Sequence, residues 1–237
     1  MEKEALVLLP GTLCDEKLWK HQLEHLTDVS NPIVCVLNKE ATIEEMAERV
    51  LDEAPYRFAL AGLSLGGIVA MEIIRQQPER VTRLALLDSN PTRPRPEQRK
   101  SWAELRAMVE AGHFQQVVQQ RLLPNLIHPS RQVDHMLVST IMDMAETIGP
   151  NYYLKQLHAV SLRSDYREGL RDITVPTLLL VGKDDTVCPP YLHEEMSALI
   201  KKSQLVVVDK CGHLSTLEQP EAVTDALQNW LRRKCHA

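Results

Sequence analysis

The chain has 237 residues, 44% hydrophobic and 25% charged, with 32 acidic against 27 basic side chains and a net charge of −5. That suffices for one substantial core, or one core carrying an insertion, and argues against general nucleic-acid binding. No apolar run approaches the ~20 residues of a membrane span.

The charged start Met1-Glu2-Lys3-Glu4 leads into an apolar stretch too short for a secretory signal. Five cysteines, Cys14, Cys35, Cys188, Cys211 and Cys235, are widely spaced and form no C-x-x-C pair. The odd count and the spacing indicate reduced thiols in a cytoplasmic protein, with no disulfide framework or zinc site. Cys14 and Cys211 lie near motifs described below. A small buried hydrophobe is the commoner role for such a residue than a reactive thiol.

In chain order, Ala5–Leu9 reads as a buried strand and Asp15–Leu26 as a helix with Leu18, Trp19, Leu23 and Leu26 on one side. Pro32–Leu37 reads as a strand. Thr42 with Glu45 three residues later is an N-cap signal for a helix running to about Glu53. A strand over Arg57–Leu63, a helix over Leu65–Gln77 and a strand over Arg83–Asp88 follow. The alternation resumes with a strand over Val175–Val181, a helix over Pro190–Lys201, a strand over Gln204–Val208 and a closing helix over Pro220–Lys234. Near-continuous apolar strands between amphipathic helices mean a parallel sheet covered on both faces. The expected fold is therefore α/β, a doubly wound, mostly parallel sheet of about six strands.

Between these halves lies a different block, from Asn90 to Arg171. Helical stretches are expected over Pro96–Glu110, Phe114–Leu122, Arg131–Ile148 and Tyr152–Leu162, with few β-branched runs. It reads as a helical cap inserted at 90–171 into a core formed by 1–89 and 172–237; an independent helical domain is the alternative.

The run Ala61-Gly62-Leu63-Ser64-Leu65-Gly66-Gly67 joins a predicted strand to a predicted helix. Gly-x-Ser-x-Gly there is the pattern of a serine on a sharp strand-to-helix turn. The turn drives the serine toward positive φ, and the backbone passes close by, so the flanking positions need almost no side chain. A serine hydroxyl needs a base, and the base an orienting carboxylate. Two later strand ends supply them. Gly182-Lys183-Asp184-Asp185-Thr186-Val187-Cys188-Pro189 follows one, and Asp209-Lys210-Cys211-Gly212-His213-Leu214-Ser215 follows the other. In open parallel sheets such groups gather outside the carboxyl ends of the strands.

With these three motifs in this order, the chain resembles the α/β-hydrolase superfamily. The likeness is to its compact, cap-bearing esterase type, which includes carrier-protein methyl ester esterases and related small hydrolases. The resemblance implies Ser64 as nucleophile, His213 as general base and then acid, and Asp185 as the orienting carboxylate. Asp185 is preferred to Asp184 as the third residue after the glycine. It implies an oxyanion hole from the amide of Leu65 and the amide of Thr12, with Leu13 as a lesser candidate. The family usually has His-Gly before this donor, whereas this chain has Pro10-Gly11, so the bracing of the loop differs. It also implies that the strand hairpin usual at the start of the fold is absent. No metal or other cofactor is implied.

The function expected is a serine hydrolase acting on a small or medium carboxylic ester through an acyl-enzyme. The same triad serves on thioesters, lactones and diketone carbon–carbon bonds, and in a non-hydrolytic elimination; a non-catalytic ligand-binding member is a further alternative. Ser64 argues against members with an Asp nucleophile. Arg93, Arg95, Arg99 and Lys100 form a basic stretch where the cap leaves the sheet. It is a solvated linker or a contact for an anionic or carrier-linked substrate. His21 and His25, one helical turn apart, have no third ligand motif and read as a solvated helix face.

Overall fold

The computed structural model describes residues 3–233. Six strands form one parallel sheet: β1 (Glu4–Leu9), β2 (Ser30–Val34), β3 (Phe58–Leu63), β4 (Val81–Leu87), β5 (Thr177–Gly182) and β6 (Ser203–Val208), in the order β2-β1-β3-β4-β5-β6. Ten α-helices connect and cover them among the described residues. These are α1 (Lys20–His25), α2 (Ile43–Glu53), α3 (Leu65–Gln76), α4 (Pro96–Glu110), α5 (Phe114–Gln116), α6 (Leu123–Leu126), α7 (His135–Leu162), α8 (Pro190–Leu199), α9 (Ser215–Glu218) and α10 (Pro220–Arg232). None is long and apolar enough to cross a membrane.

The sheet is apolar on both faces because its side chains alternate between two cores. Val7, Leu9, Phe58, Leu60, Leu84 and Leu86 join one cluster with α2 and α3. Leu6, Leu8, Ala59, Ala61, Ala85 and Leu87 join the other with α10. Each fully buried leucine adds about 1.5–3 kcal/mol of hydrophobic stabilisation, which is why period-two strands can read as unbroken apolar runs.

Expected and observed elements differ mainly at ends. β2 begins at Ser30 rather than Pro32 and stops at Val34. Pro32 is tolerated inside it, paired opposite Leu6, because β2 is the edge strand and its missing N–H breaks no further ladder. The stretch expected as one helix over Asp15–Leu26 is a 3₁₀ turn, Glu16–Trp19, followed by α1, with Asp15 capping the Lys17 amide. The expected closing helix reaches Lys234, which lies outside the described residues.

Four helices, α4 to α7, lie between β4 and β5. The helix expected over Phe114–Leu122 is α5 continued by a π-helical turn, Val117–Leu122. The two helices expected over Arg131–Ile148 and Tyr152–Leu162 run on as α7, kinked at Gly149 (φ 75°) before Pro150. Leu105, Val109, Phe114, Val117, Ile148 and Tyr153 form a third cluster, which Leu13 of the β1 loop joins. The helices also feed the sheet cores, through Ala159 and Val160 on one side and Leu137, Ile141 and Met144 on the other.

This topology positions the site. After β1 the chain turns to β2 on one side, and then returns to β3 on the other. The carboxyl ends of β1 and β3 therefore open a crevice where the order reverses, the usual ligand position in open parallel sheets.

Candidate active site

Ser64 joins β3 to α3 with φ 55° and ψ −114°, a conformation strained for any residue with a Cβ. The surrounding glycines make it reachable. A methyl at Gly62 would stand 2.2 Å from the carbonyl oxygen of Gly66, and one at Gly66 would stand 2.2 Å from that of Leu9. The Ser64 amide donates to Leu87 O at 2.9 Å, and Ser89 Oγ donates to Ser64 O at 2.9 Å, so β4 holds the strained turn.

The structure brings three of the expected side chains into one chain of hydrogen bonds. Ser64 Oγ lies 2.8 Å from His213 Nε2, and His213 Nδ1 lies 2.8 Å from Asp185 Oδ2. Asp185 Oδ1 accepts from the amides of Val187 and Cys188, at 2.8 and 2.9 Å. Burial works to raise the Asp185 pKa. The His213 charge, its hydrogen bond and the two amides outweigh that and hold it below the usual carboxylate range. An ionised Asp185 accepts a hydrogen bond from Nδ1–H, which leaves Nε2 unprotonated and able to accept from the Ser64 hydroxyl. Burial works to lower the His213 pKa, but Asp185 overcomes it and the net shift is upward. Asp184, the alternative acid, points away and stands 3.7 Å from His128.

The loop after β1 faces the same turn. Gly11, Thr12, Leu13, Ser64, Leu65 and His213 line one cavity of about 480 Å³. Leu65 opens α3, so its amide precedes the first intrahelical bond. The Thr12 amide has no hydrogen-bond partner among the described residues. The Leu13 amide is taken, because it donates to Gln156 Oε1 of α7 at 3.0 Å.

Several residues at the site were not among those read from the sequence. Asp88 follows β4 directly, at the same sheet edge. It is buried, accepts from the Gly182 amide at 2.8 Å, and is hydrogen-bonded to the Ser215 hydroxyl. It thereby ties the Asp185 loop to the His213 loop. Burial, with the Asp185 charge adding, pushes its pKa up to about 8. Its place at the end of the strand expected over Arg83–Asp88 was a usable signal. Glu218 clamps a second joint, accepting from the amides of Gly212 and His128 at 2.8 and 2.7 Å. The His213 and Leu214 amides both donate to Leu126 O of α6, so the helices over the sheet help hold the histidine loop. Buried His193 accepts from the Ser89 amide, and burial lowers its pKa to about 3, so it stays neutral.

Other groups do less. Cys14 lines the cavity, but burial pushes its pKa up to about 12. Cys211 is shifted upward as well, first by burial, so neither thiol ionises near neutral pH. Asp185, Cys188 and His213 are the one metal-like cluster among the described residues. Both ring nitrogens of His213 are already engaged and burial keeps Cys188 protonated, so the donor set suits proton transfer rather than a metal. His21 and His25 stack at 4.0 Å, and His21 bonds Thr224 of α10 rather than facing only solvent. Arg93, Arg95, Arg99 and Lys100 are exposed and none lines the cavity; the arginines that do are Arg121 and Arg163.

Fold and site together define a hydrolase built on a parallel α/β sheet with its working groups at the strand ends. A family model described as the alpha/beta hydrolase family matches residues 6–226, and the chain belongs to that family. Its named relatives place it among the carboxylic ester hydrolases there. A pimeloyl-[acyl-carrier protein] methyl ester esterase of Klebsiella pneumoniae is 28% identical over 94% of this chain and 91% of its own length. One from Neisseria meningitidis is 31% identical over 76% and 72%. Among solved structures, a thermophilic esterase from Thermogutta terrifontis, described as malate bound, superposes with a TM-score of 0.90 at 29% identity. It covers 98% of this chain and 90% of that one. The enol-lactonase of Burkholderia xenovorans shares the fold, with a TM-score of 0.89 at 19% identity over 98% and 93% of the two chains.

Proposed function

We propose that this protein is a serine hydrolase cleaving a small or medium carboxylic ester through an acyl-enzyme on Ser64. The observation that carries the reading is the pair of 2.8 Å hydrogen bonds from Ser64 through His213 to Asp185, open to a cavity.

In this reading His213 Nε2 takes the hydroxyl proton as Ser64 Oγ attacks the ester carbonyl. The charge that develops on the carbonyl oxygen is met by the amides of Leu65 and Thr12; one such donor is typically worth 10²–10³ in rate. The imidazolium then gives its proton to the departing alkoxide, leaving the acyl group on Ser64. Water enters, loses a proton to His213, and releases the acid. Asp185 keeps the ring oriented and steadies its charge throughout.

Leu105, Val118, Ile141 and Ala145 line the cavity from the helices over the sheet and support an apolar acyl pocket. We read residues 90–171 accordingly as the cap that sets substrate choice, on a core of 1–89 and 172–237. Exposed Arg93, Arg95 and Arg99 support an anionic or carrier-linked substrate arriving from outside the cavity, in line with relatives named for an acyl-carrier-protein ester.

Fluorophosphonate labelling tests the nucleophile: wild type is labelled and Ser64→Ala is not. Equal labelling of the two would remove Ser64 from its role. p-Nitrophenyl esters of rising chain length, run beside a diketone, a thioester and a lactone, test the reaction class. Preference for any of the latter three would displace the ester reading.

A further inference from the structure

The cavity beside Ser64 carries fixed charge of one sign only. Arg121 and Arg163 line it and, among the described residues, no Asp or Glu does, although acids outnumber bases 32 to 27 in the chain. Arg121 is exposed, with Glu104 3.9 Å away and Met108 Sδ as a hydrogen-bond acceptor.

Arg163 differs. It caps the end of α7 and is 5% exposed. Its Nε donates to Thr92 O at 2.8 Å and its Nη1 to Val160 O at 3.2 Å, and its guanidinium lies over the Trp102 ring, 5.4 Å from the centroid. No carboxylate stands within ion-pair distance of it among the described residues, since Asp165 acts on it only from farther off and is itself bonded to Arg167, and no hydrogen bond there engages its Nη2. Two neutral carbonyls and an indole face hold the group in place without neutralising it. Burial accordingly pulls its pKa below the ordinary arginine value. A buried cation without a counter-ion is costly, and such a group is normally completed by an anion. Neutral donors share the cavity. Asn90 and Gln98 line it, and Thr92 and the Arg95 amide occupy their carbonyl oxygens, which leaves both side-chain N–H₂ groups to donate.

We infer that the ester taken by this site bears a second, free carboxylate, and that Arg163 is the residue that binds it. The inference rests on the hydrolase reading above. A planar guanidinium with unused donors matches a carboxylate in shape and charge. The carboxylate is a handle and passes through hydrolysis unchanged; water and the ester give the acid and the alcohol.

The test uses matched ester pairs followed by proton release. On the acyl side they are monomethyl adipate and methyl hexanoate. On the alcohol side they are carboxymethyl butyrate and propyl butyrate. In one pair, wild type should favour the carboxylate-bearing member by on the order of 10²-fold in kcat/KM, the range of a charge-assisted hydrogen bond. Arg163→Met should bring that ratio close to one, and Arg163→Lys should retain part of it. Because each ratio is read on one protein preparation, loss of folded enzyme cancels. No preference by wild type in either pair, or a preference that survives Arg163→Met, overturns the inference while leaving the hydrolase reading intact. If wild type cleaves none of the esters and resists fluorophosphonate, the hydrolase reading falls instead. Calorimetric binding of adipate then decides the arginine site: at least tenfold weaker binding in Arg163→Met supports it, and equal or absent binding overturns it.

Discussion

Gln156 of α7 accepts a hydrogen bond from the Leu13 amide at 3.0 Å and donates to Leu37 O at 2.6 Å, with its side chain fully buried. The pair anchors the β1 loop, Gly11 to Cys14, from the helical block above the sheet. It also supplies the bracing that Pro10 in place of the family's histidine leaves open. Leu13 holds φ 58°, so this anchor maintains a strained backbone next to the Thr12 amide.

Gln156→Leu should therefore lower kcat with little change in KM, because the proposed oxyanion donor Thr12 loses its fixed position while the cavity stays lined. A fall of about 10–10³-fold is expected for a displaced donor. The orphaned Leu13 amide should also cost about 1–3 kcal/mol of stability, read by urea unfolding. A variant that raised KM alone would assign Gln156 to binding instead.

Asp185→Asn should keep the fold and cut kcat on the order of 10⁴-fold, since the His213 tautomer is then set wrongly. Asp184→Asn should stay near wild type, because its carboxylate faces His128 on the surface. The reverse pattern in steady-state kinetics would move the acid by one residue.

The pH profile follows from His213, which must be neutral to accept the Ser64 proton. Its pKa is raised above the ordinary 6.5, burial opposing and Asp185 prevailing. The acid limb of kcat/KM should accordingly have its midpoint above 6.5, with activity lost as pH falls through it. A midpoint below 6.5 would mean that desolvation wins over Asp185.

Asp88 makes stability pH-dependent in a definite direction. Its folded pKa, raised to about 8 by burial and then by Asp185, exceeds its ordinary 3.8. The stabilisation it contributes is complete below pH 3.8 and is lost as pH rises toward 8. Asp88→Asn keeps the acceptor for Gly182 and offers a donor to Ser215, as the protonated acid does. Between pH 5 and 8 this variant should lose less stability than wild type in urea titrations; parallel curves would show that Asp88 does not titrate there.

Gly66→Ala should be inactive and destabilised by more than ~1 kcal/mol, because its methyl would meet the Leu9 carbonyl at 2.2 Å. A near-native melting temperature with full fluorophosphonate labelling would show that the turn relaxes around it.

Much of the frame was legible in the chain. Unbroken apolar strands alternate with amphipathic helices, so the parallel sheet and the sites of its turns follow from local pattern. Gly62, Ser64 and Gly66 announce a close backbone crossing that few other residues permit. Gln156 and Arg163 carried a weaker signal: polar residues continuing the stripe Tyr153, Leu157, Val160 on a buried helix face. A stripe says that a residue is buried, not what it meets.

The sequence by itself carried the strand and helix alternation, the Gly62-x-Ser64-x-Gly66 turn and the motifs at the later strand ends, because these depend on contacts along the chain and on steric limits at single residues; the order Ser64, Asp185, His213 was implied by the resemblance those motifs bear to the family. Only the tertiary structure decided that Asp88 joins two loops, that Gln156 rather than a histidine anchors the β1 loop, and that Arg163 lines the cavity with no ion-paired acid among the described residues. Those facts join residues far apart in sequence. They are set by how the helical block packs on the sheet edge, where burial makes every unpaired charge and amide count.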